Sequence, residues 1–133
     1  MKKYTVGFIF NQAMTHVLLI RKIKPVEQAG LLNGIGGKFE PEDIDAEHCV
    51  SREVKEEAGL DIPSDQWVNA GYFGDNAHYR VDILTAQVSD DVLHSAQTLT
   101  EEQVSVFSID ELKSDDFVYQ AEEMLEYCRR CFS

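Results

Sequence analysis

The stretch Gly36 to Leu60, GGKFEPEDIDAEHCVSREVKEEAGL, decides how the rest of the chain is read. Its second half predicts one helix over Asp45 to Ala58, with Gly59 placed as the C-terminal cap. Ala46, Val50, Val54 and Ala58 share a stripe, the face expected to pack on a sheet. Glu53, Glu56 and Glu57 fall within a sector of about 100°. Glu57 projects between Ala46 and Val50, and Glu53 borders the stripe. Like charges at these spacings repel by a few tenths of a kcal/mol per pair, and the helix C-terminus disfavours anions.

Two readings of these carboxylates stay open at this point. One is a solvated charge run, which would more naturally lie on the opposite face, where Ser51 and Lys55 point. The other is a metal site, because carboxylates crowded beside a buried face need a counter-charge and a hard divalent cation supplies one. Upstream, Asn33-Gly34-Ile35-Gly36-Gly37-Lys38 could bring bare backbone close to a ligand, with Lys38 meeting a phosphate as a point charge. It is not a P-loop, since the required glycine spacing before Lys-Ser or Lys-Thr is absent.

Working outward, Tyr4 to Phe10 and His16 to Arg21 predict two strands joined by a hairpin through Asn11 to Thr15. Residues 23–43 hold four of the eight glycines and two of the three prolines, so they are expected to be mostly loop with a short strand. Trp67 to Phe73, Tyr79 to Val88 and Val104 to Ile109 are further strand candidates. A last helix fits Phe117 to Cys131, with Phe117, Ala121, Met124, Leu125 and Cys128 on one stripe. This order of elements predicts an α+β fold, an α/β/α sandwich with a mixed β-sheet flanked by helices.

At 133 residues the chain fits a single domain, 1–133. A net charge of −12 with no Lys/Arg run argues against binding duplex nucleic acid. It does not exclude anionic small molecules, because a bound cation inverts the local charge. No apolar run is long enough to span a membrane, and Met1 to Tyr4 leads into a strand, so a cytoplasmic setting is expected. Cys49, Cys128 and Cys131 form no disulfide framework, and the single C-x-x-C lacks a second pair for zinc.

The loop and helix together resemble the Nudix box, G-x5-E-x7-R-E-U-x-E-E-x-G-U, where U is a bulky aliphatic residue. Arg52, Glu53, Val54, Glu56, Glu57, Gly59 and Leu60 match every fixed position of its second half. Gly37 matches in the first half, and Glu40 sits where many members carry Glu after Gly-Gly-Lys. Asp43 stands at the x5-E position, and the gap from it to Arg52 is one residue longer than the pattern, which puts the usual structural role of that position in question.

The resemblance implies a Mg²⁺-dependent pyrophosphohydrolase, with Mn²⁺ an alternative, whose ligands are Glu53, Glu56, Glu57 and the carbonyl of Gly36. The arginine matching Arg52 orients a glutamate by ion pairing. Glu102, five residues before Phe107, is the expected extra ligand from a later loop, with Glu101 as its alternative. Glu53 and Glu56 are the leading candidates for the general base.

The box handles the diphosphate and other loops read the rest of a substrate. Leu32 to Lys38 resembles the W-N-G-F-G-G-K of animal 8-oxo-dGTP-cleaving members, so Asn33 could contact a purine or could simply form a turn before Gly34. Leu32 replaces the tryptophan, and Asp115 and Asp116 are out of register with the aspartate pair of those enzymes. Asp75 and Tyr79 do not match the positions that mark ADP-ribose or dinucleoside polyphosphate hydrolases. The favoured substrate is therefore a nucleoside triphosphate, plausibly a modified purine, with Asn33, Gly37, Lys38, Arg21 and Tyr79 as candidate contacts. The competing class is a Nudix-fold module that binds a nucleotide without cleaving it; such modules usually lose box glutamates, and this chain keeps them. A monomer or a homodimer is expected.

Overall fold

The computed structural model describes residues 1–75 and 77–133. It contains a seven-stranded mixed sheet. The strands are β1 (Lys2–Asn11), β2 (His16–Arg21), β3 (Leu32–Asn33), β4 (Ile35–Lys38), β5 (Val68–Gly74), β6 (Tyr79–Val88) and β7 (Gln103–Ser108). The helices are α1 (Ala46–Ala58), α2 (Asp90–His94) and α3 (Ala121–Arg130). The sheet runs β3-β2-β1-β6-β5, with β4 also on β1 and β7 also on β2.

β1 is the axis. It pairs in parallel with β6 over its whole length, from Lys2 opposite Tyr79 to Asn11 opposite Val88. Its other edge is divided: Ile9 and Phe10 face β2, whereas Tyr4 to Gly7 face β4. The chain therefore leaves β2 at Asn33, opposite Ile20, and joins β1 at Ile35, opposite Gly7. A cleft opens where it crosses.

Alternation along the strands feeds two cores, one on each face. Ile9, Leu18, Ile20 and Leu84 join Val50, Val54 and Ala58 of α1. Phe8, Phe10, Val17, Leu19 and Ile83 join Ala121, Met124, Leu125 and Cys128 of α3. Each fully buried Val or Leu in these clusters contributes roughly 1.5–3 kcal/mol of transfer free energy, which is why the two helices cover both faces. The sandwich expected from the element order is present.

Several boundaries differ from expectation. α1 begins one residue later than predicted because Asp45 is its N-cap, accepting the His48 N–H at 2.8 Å. Gly59 closes it in the left-handed region at φ 72°. α3 begins at Ala121 rather than Phe117: Phe117 bridges to Leu32, and the Val118 N–H donates to the Leu32 carbonyl at 2.9 Å. The loop at 23–43 holds two short strands, not one. The face of α1 at Ser51 is covered, because Ser51 Oγ donates to the Ile62 carbonyl at 2.8 Å and accepts from Trp67 Nε1 at 2.9 Å.

Candidate active site

Residues of β1 to β6 and of two helix ends surround a cleft of about 470 Å³. Tyr4, Thr5 and Val6 of β1 form its floor; Asn33, Gly34, Gly36 and Gly37 form one wall, with Lys22 and Glu57 alongside. Phe73, Val81, Tyr119, Gln120 and Met124 form the opposite end.

Close approach explains the paired glycines. A Cβ on Gly37 would stand 2.7 Å from the Glu53 carboxyl carbon, so that carboxylate lies directly over the bare Cα. A Cβ on Gly36 would stand 2.0 Å from the Thr5 carbonyl oxygen, so no side chain fits there. The first contact seats the Glu53 carboxylate against β4; the second lets β4 lie on β1.

Arg52 organises the outer side of α1. Its Nε and Nη2 donate to the two oxygens of Asp43, at 3.0 and 2.8 Å. Its Nη1 reaches Glu53 at 3.1 Å and Glu56 at 3.3 Å, and its Nη2 also donates to the Lys38 carbonyl at 3.2 Å. The Arg52 guanidinium holds the Asp43 carboxyl down at a pKa of about 2. The extra residue before the helix thus does not prevent Asp43 from anchoring the arginine, because Asp43 also accepts the Glu40 N–H at 2.8 Å and closes the loop on itself.

Glu57 has the opposite environment. Burial first, then the neighbouring Glu53, push its pKa up to about 8. Its Oε2 is buried with no hydrogen-bond partner among the described residues. A buried carboxylate oxygen without a partner costs on the order of 1–3 kcal/mol, more when charged, a cost that a proton or a bound cation would relieve.

Glu102, immediately before β7, is brought to the same region. The preceding segment is pinned to the end of α1, where Gln97 N–H donates to the Ala58 carbonyl at 2.9 Å and Leu99 N–H to the Glu57 carbonyl at 3.2 Å. Its Oε1 accepts from Lys22 Nζ at 2.9 Å and its Oε2 from the Ile23 N–H at 2.7 Å. Burial raises the Glu102 pKa, but the Ile23 amide and the Lys22 ammonium outweigh it and the net shift is downward.

Donor chemistry here fits a hard divalent cation: carboxylate oxygens, one of them partnerless, next to glycine backbone. Among the described residues, however, no three carboxylate, imidazole or thiolate side chains are gathered to hold one ion. Glu56 turns outward to Arg52 with its side chain 56% exposed, and Glu102 is engaged by Lys22.

Of the expected substrate contacts, Asn33 and Gly37 line the cleft. Asn33 Oδ1 accepts the Gly34 N–H at 2.8 Å, so the turn-forming role is realised and its amide nitrogen is left to donate. Arg21, Lys38 and Tyr79 are not brought into the cleft lining. Arg21 donates to the Gly30 carbonyl at 2.9 Å and lies over the Phe107 ring. Lys38 offers its carbonyl to Arg52, and Tyr79 packs edge-on against Phe73. Asp116 accepts the Lys113 N–H and caps a short turn, while Glu101 is exposed.

Lys22, Tyr119 and Gln120 line the cleft although the sequence reading did not select them. The sequence carried one faint signal: Tyr119-Gln120 lies at the start of the last apolar stripe, where a helix start brings residues to a sheet edge. Gln120 has φ 70°, a left-handed conformation rare for a residue with a side chain.

A family model described as the NUDIX domain matches residues 1–128. No curated protein matches the chain. Among solved structures, the NUDIX domain of Shewanella oneidensis NrtR complexed with ADP ribose superposes with a TM-score of 0.81 at 17% identity, covering 98% of this chain and 88% of that one. MutT from Burkholderia pseudomallei, described as a NUDIX hydrolase, superposes at 0.74 with 19% identity, covering 95% and 96%. A structure from work on MutT of Aliivibrio salmonicida and Vibrio cholerae gives 0.73 at 17% identity, covering 97% and 98%.

Proposed function

The chain belongs to the NUDIX domain family of pyrophosphohydrolases, and from that premise we propose that it hydrolyses a nucleoside triphosphate to the monophosphate and pyrophosphate with Mg²⁺ as cofactor. The observation that carries this reading is the Glu57 carboxylate, buried with a partnerless oxygen at the edge of the cleft beside Glu53.

Glu53 and Glu57 would hold the cation together with the Gly36 carbonyl, and Glu102 is the further carboxylate within the same region. When bound, the cation neutralises the diphosphate oxygens and the developing charge of the leaving group. The residues of the chain supply the rest. Arg52 fixes Glu53 through Nη1, so that one oxygen is held and the other is left to accept a proton from water. That water attacks one phosphorus as the bond to the bridging oxygen breaks, and the proton passes to the glutamate. Glu56, ion-paired to the same arginine on the exposed side, is better placed to hold Arg52 than to receive that proton.

The far end of the cleft favours a nucleoside. Tyr119 is 86% exposed at its rim and Phe73 lines its wall, offering aromatic faces to a planar base. The Asn33 amide and the Gln120 side chain supply donors and an acceptor for a base edge. A nucleotide panel with product identification tests this reading. Nucleoside triphosphates, an 8-oxo purine triphosphate, ADP-ribose and a dinucleoside polyphosphate are compared by kcat/KM, with products resolved as pyrophosphate or phosphate. Preference for a triphosphate with pyrophosphate released supports it. Preference for ADP-ribose, or binding without turnover of any of them, replaces it.

A further inference from the structure

Lys22, which lines the cleft, pairs with Glu102 just behind it, and this is no ordinary surface ion pair, since the two side chains are only 23% and 12% exposed. We propose that Lys22 is the resident counter-ion of Glu102 and competes with the divalent cation for that carboxylate, so that cation binding frees the Lys22 ammonium into the cleft. This rests on the metal-dependent reading above.

Three observations carry it. Both oxygens of Glu102 are engaged, one by Lys22 Nζ at 2.9 Å and one by the Ile23 N–H at 2.7 Å. The two contacts are not equivalent. The Ile23 amide belongs to the backbone and holds Glu102 in place, whereas Lys22 ends a flexible four-carbon stem and can leave. Lys22 also lines the cleft beside Glu57, the carboxylate with the partnerless oxygen. The other cation nearby, Arg52, is committed to Asp43, Glu53 and Glu56 on the outer side of α1. Among the described residues, Lys22 is the one lysine or arginine that lines the cleft, beside Glu57 and paired with Glu102.

A divalent ion carries twice the charge of that ammonium and needs several oxygen ligands. Bringing Glu102 to it means exchanging the lysine contact. Removing the lysine charge both leaves Glu102 without its ammonium partner and removes repulsion of the incoming ion, and the two effects have the same sign.

Mn²⁺ binding to protein stripped with chelator, without nucleotide, tests the competition. Lys22→Met is expected to tighten Mn²⁺ binding about tenfold, ~1.4 kcal/mol, whereas Lys22→Arg, which keeps the charge, stays near wild type. In a Glu102→Gln background the same Lys22→Met change is expected to give a clearly smaller gain, because only the relief of direct repulsion remains. Unchanged or weaker binding by Lys22→Met overturns the proposal, as does an equal gain with Glu102→Gln, which puts the competition elsewhere. A measurement on the unaltered protein stands beside these. Acetylation of Lys22, mapped by mass spectrometry, is expected to speed up when Mn²⁺ is added, and an unchanged or slower rate overturns the proposal. If wild type still hydrolyses nucleotides only with metal, that failure leaves the functional reading standing. If wild type binds no Mn²⁺ and turns over nothing, both fall.

Discussion

Asp43 and Arg52 form a two-pronged ion pair, with Nε to Oδ1 at 3.0 Å and Nη2 to Oδ2 at 2.8 Å, across the loop-to-helix junction. The Asp43 side chain is only 4% exposed, so solvent screens the pair little. With its pKa held down at about 2 against an ordinary 3.8, Asp43 binds its proton later in the folded than in the unfolded chain as pH falls. Its contribution, about 2 kcal/mol by linkage, is fully present above pH 3.8 and is lost as pH drops through 2. Asp43→Asn should therefore lower Tm at neutral pH, and the gap to wild type should close between about pH 4 and pH 2. A gap that stays constant across that window would remove the pair from the account.

Gly36 and Gly37 are adjacent but should fail differently. A methyl at Gly36 meets the Thr5 backbone at 2.0 Å, and backbone cannot step aside. Gly36→Ala should cost several kcal/mol of stability, in the range of overpacked cores, read as a large drop in Tm. At Gly37 the obstacle is the Glu53 carboxylate at 2.7 Å, a side-chain end that can move. Gly37→Ala should stay folded, with near-native circular dichroism, and lose at least tenfold in kcat by displacing Glu53.

Glu57 lowers the stability of the fold once it is ionised. Burial raises its pKa to about 8 in the fold, against 4.5 in the unfolded chain. In protein stripped of metal, that shift lowers stability progressively from pH 4.5 to 8, and the loss is complete above 8. Glu57→Gln mimics the protonated form. It should raise Tm of the stripped protein at pH 8, with the gain vanishing near pH 5, while turnover falls by orders of magnitude. Thermal melts at the two pH values and a rate assay check both halves.

Tyr119→Ala removes a rim aromatic that carries no core, since the residue is 86% exposed. Losing a stacking face should raise KM for a nucleoside triphosphate roughly tenfold, with kcat nearly unchanged and Tm within about 1 °C of wild type. An unaltered KM would place the base elsewhere.

Much of this was legible from residues alone. Strand bounds followed from apolar, β-branched runs set off by polar and turn residues, so that His16–Arg21 and Tyr79–Val88 appear with the predicted bounds. α1 followed from its stripe and caps. The carboxylates beside a buried face called for a counter-charge, and Glu57 Oε2 is buried there with no hydrogen-bond partner among the described residues. What the sequence could not carry was long-range placement. Glu56 looks equivalent to Glu53 and Glu57 on a helical wheel, yet Arg52 draws it outward. Arg21 ends β2 and Lys22 follows it directly, yet one lies over Phe107 and the other lines the cleft. Tyr119 and Gln120 reach the site only because Phe117 and Val118 are tied to Leu32, a contact 85 positions apart for Leu32 and Phe117 (117 − 32) that no local pattern announces.

The most direct measurement is nucleoside triphosphate hydrolysis by the purified protein, followed as pyrophosphate and phosphate release with Mg²⁺ present and with the metal chelated. Pyrophosphate release that requires Mg²⁺, and that Glu57→Gln abolishes, is the predicted result. Turnover insensitive to chelation, or wild-type activity in Glu57→Gln, would contradict the assignment of this cleft and its buried carboxylate as the catalytic centre.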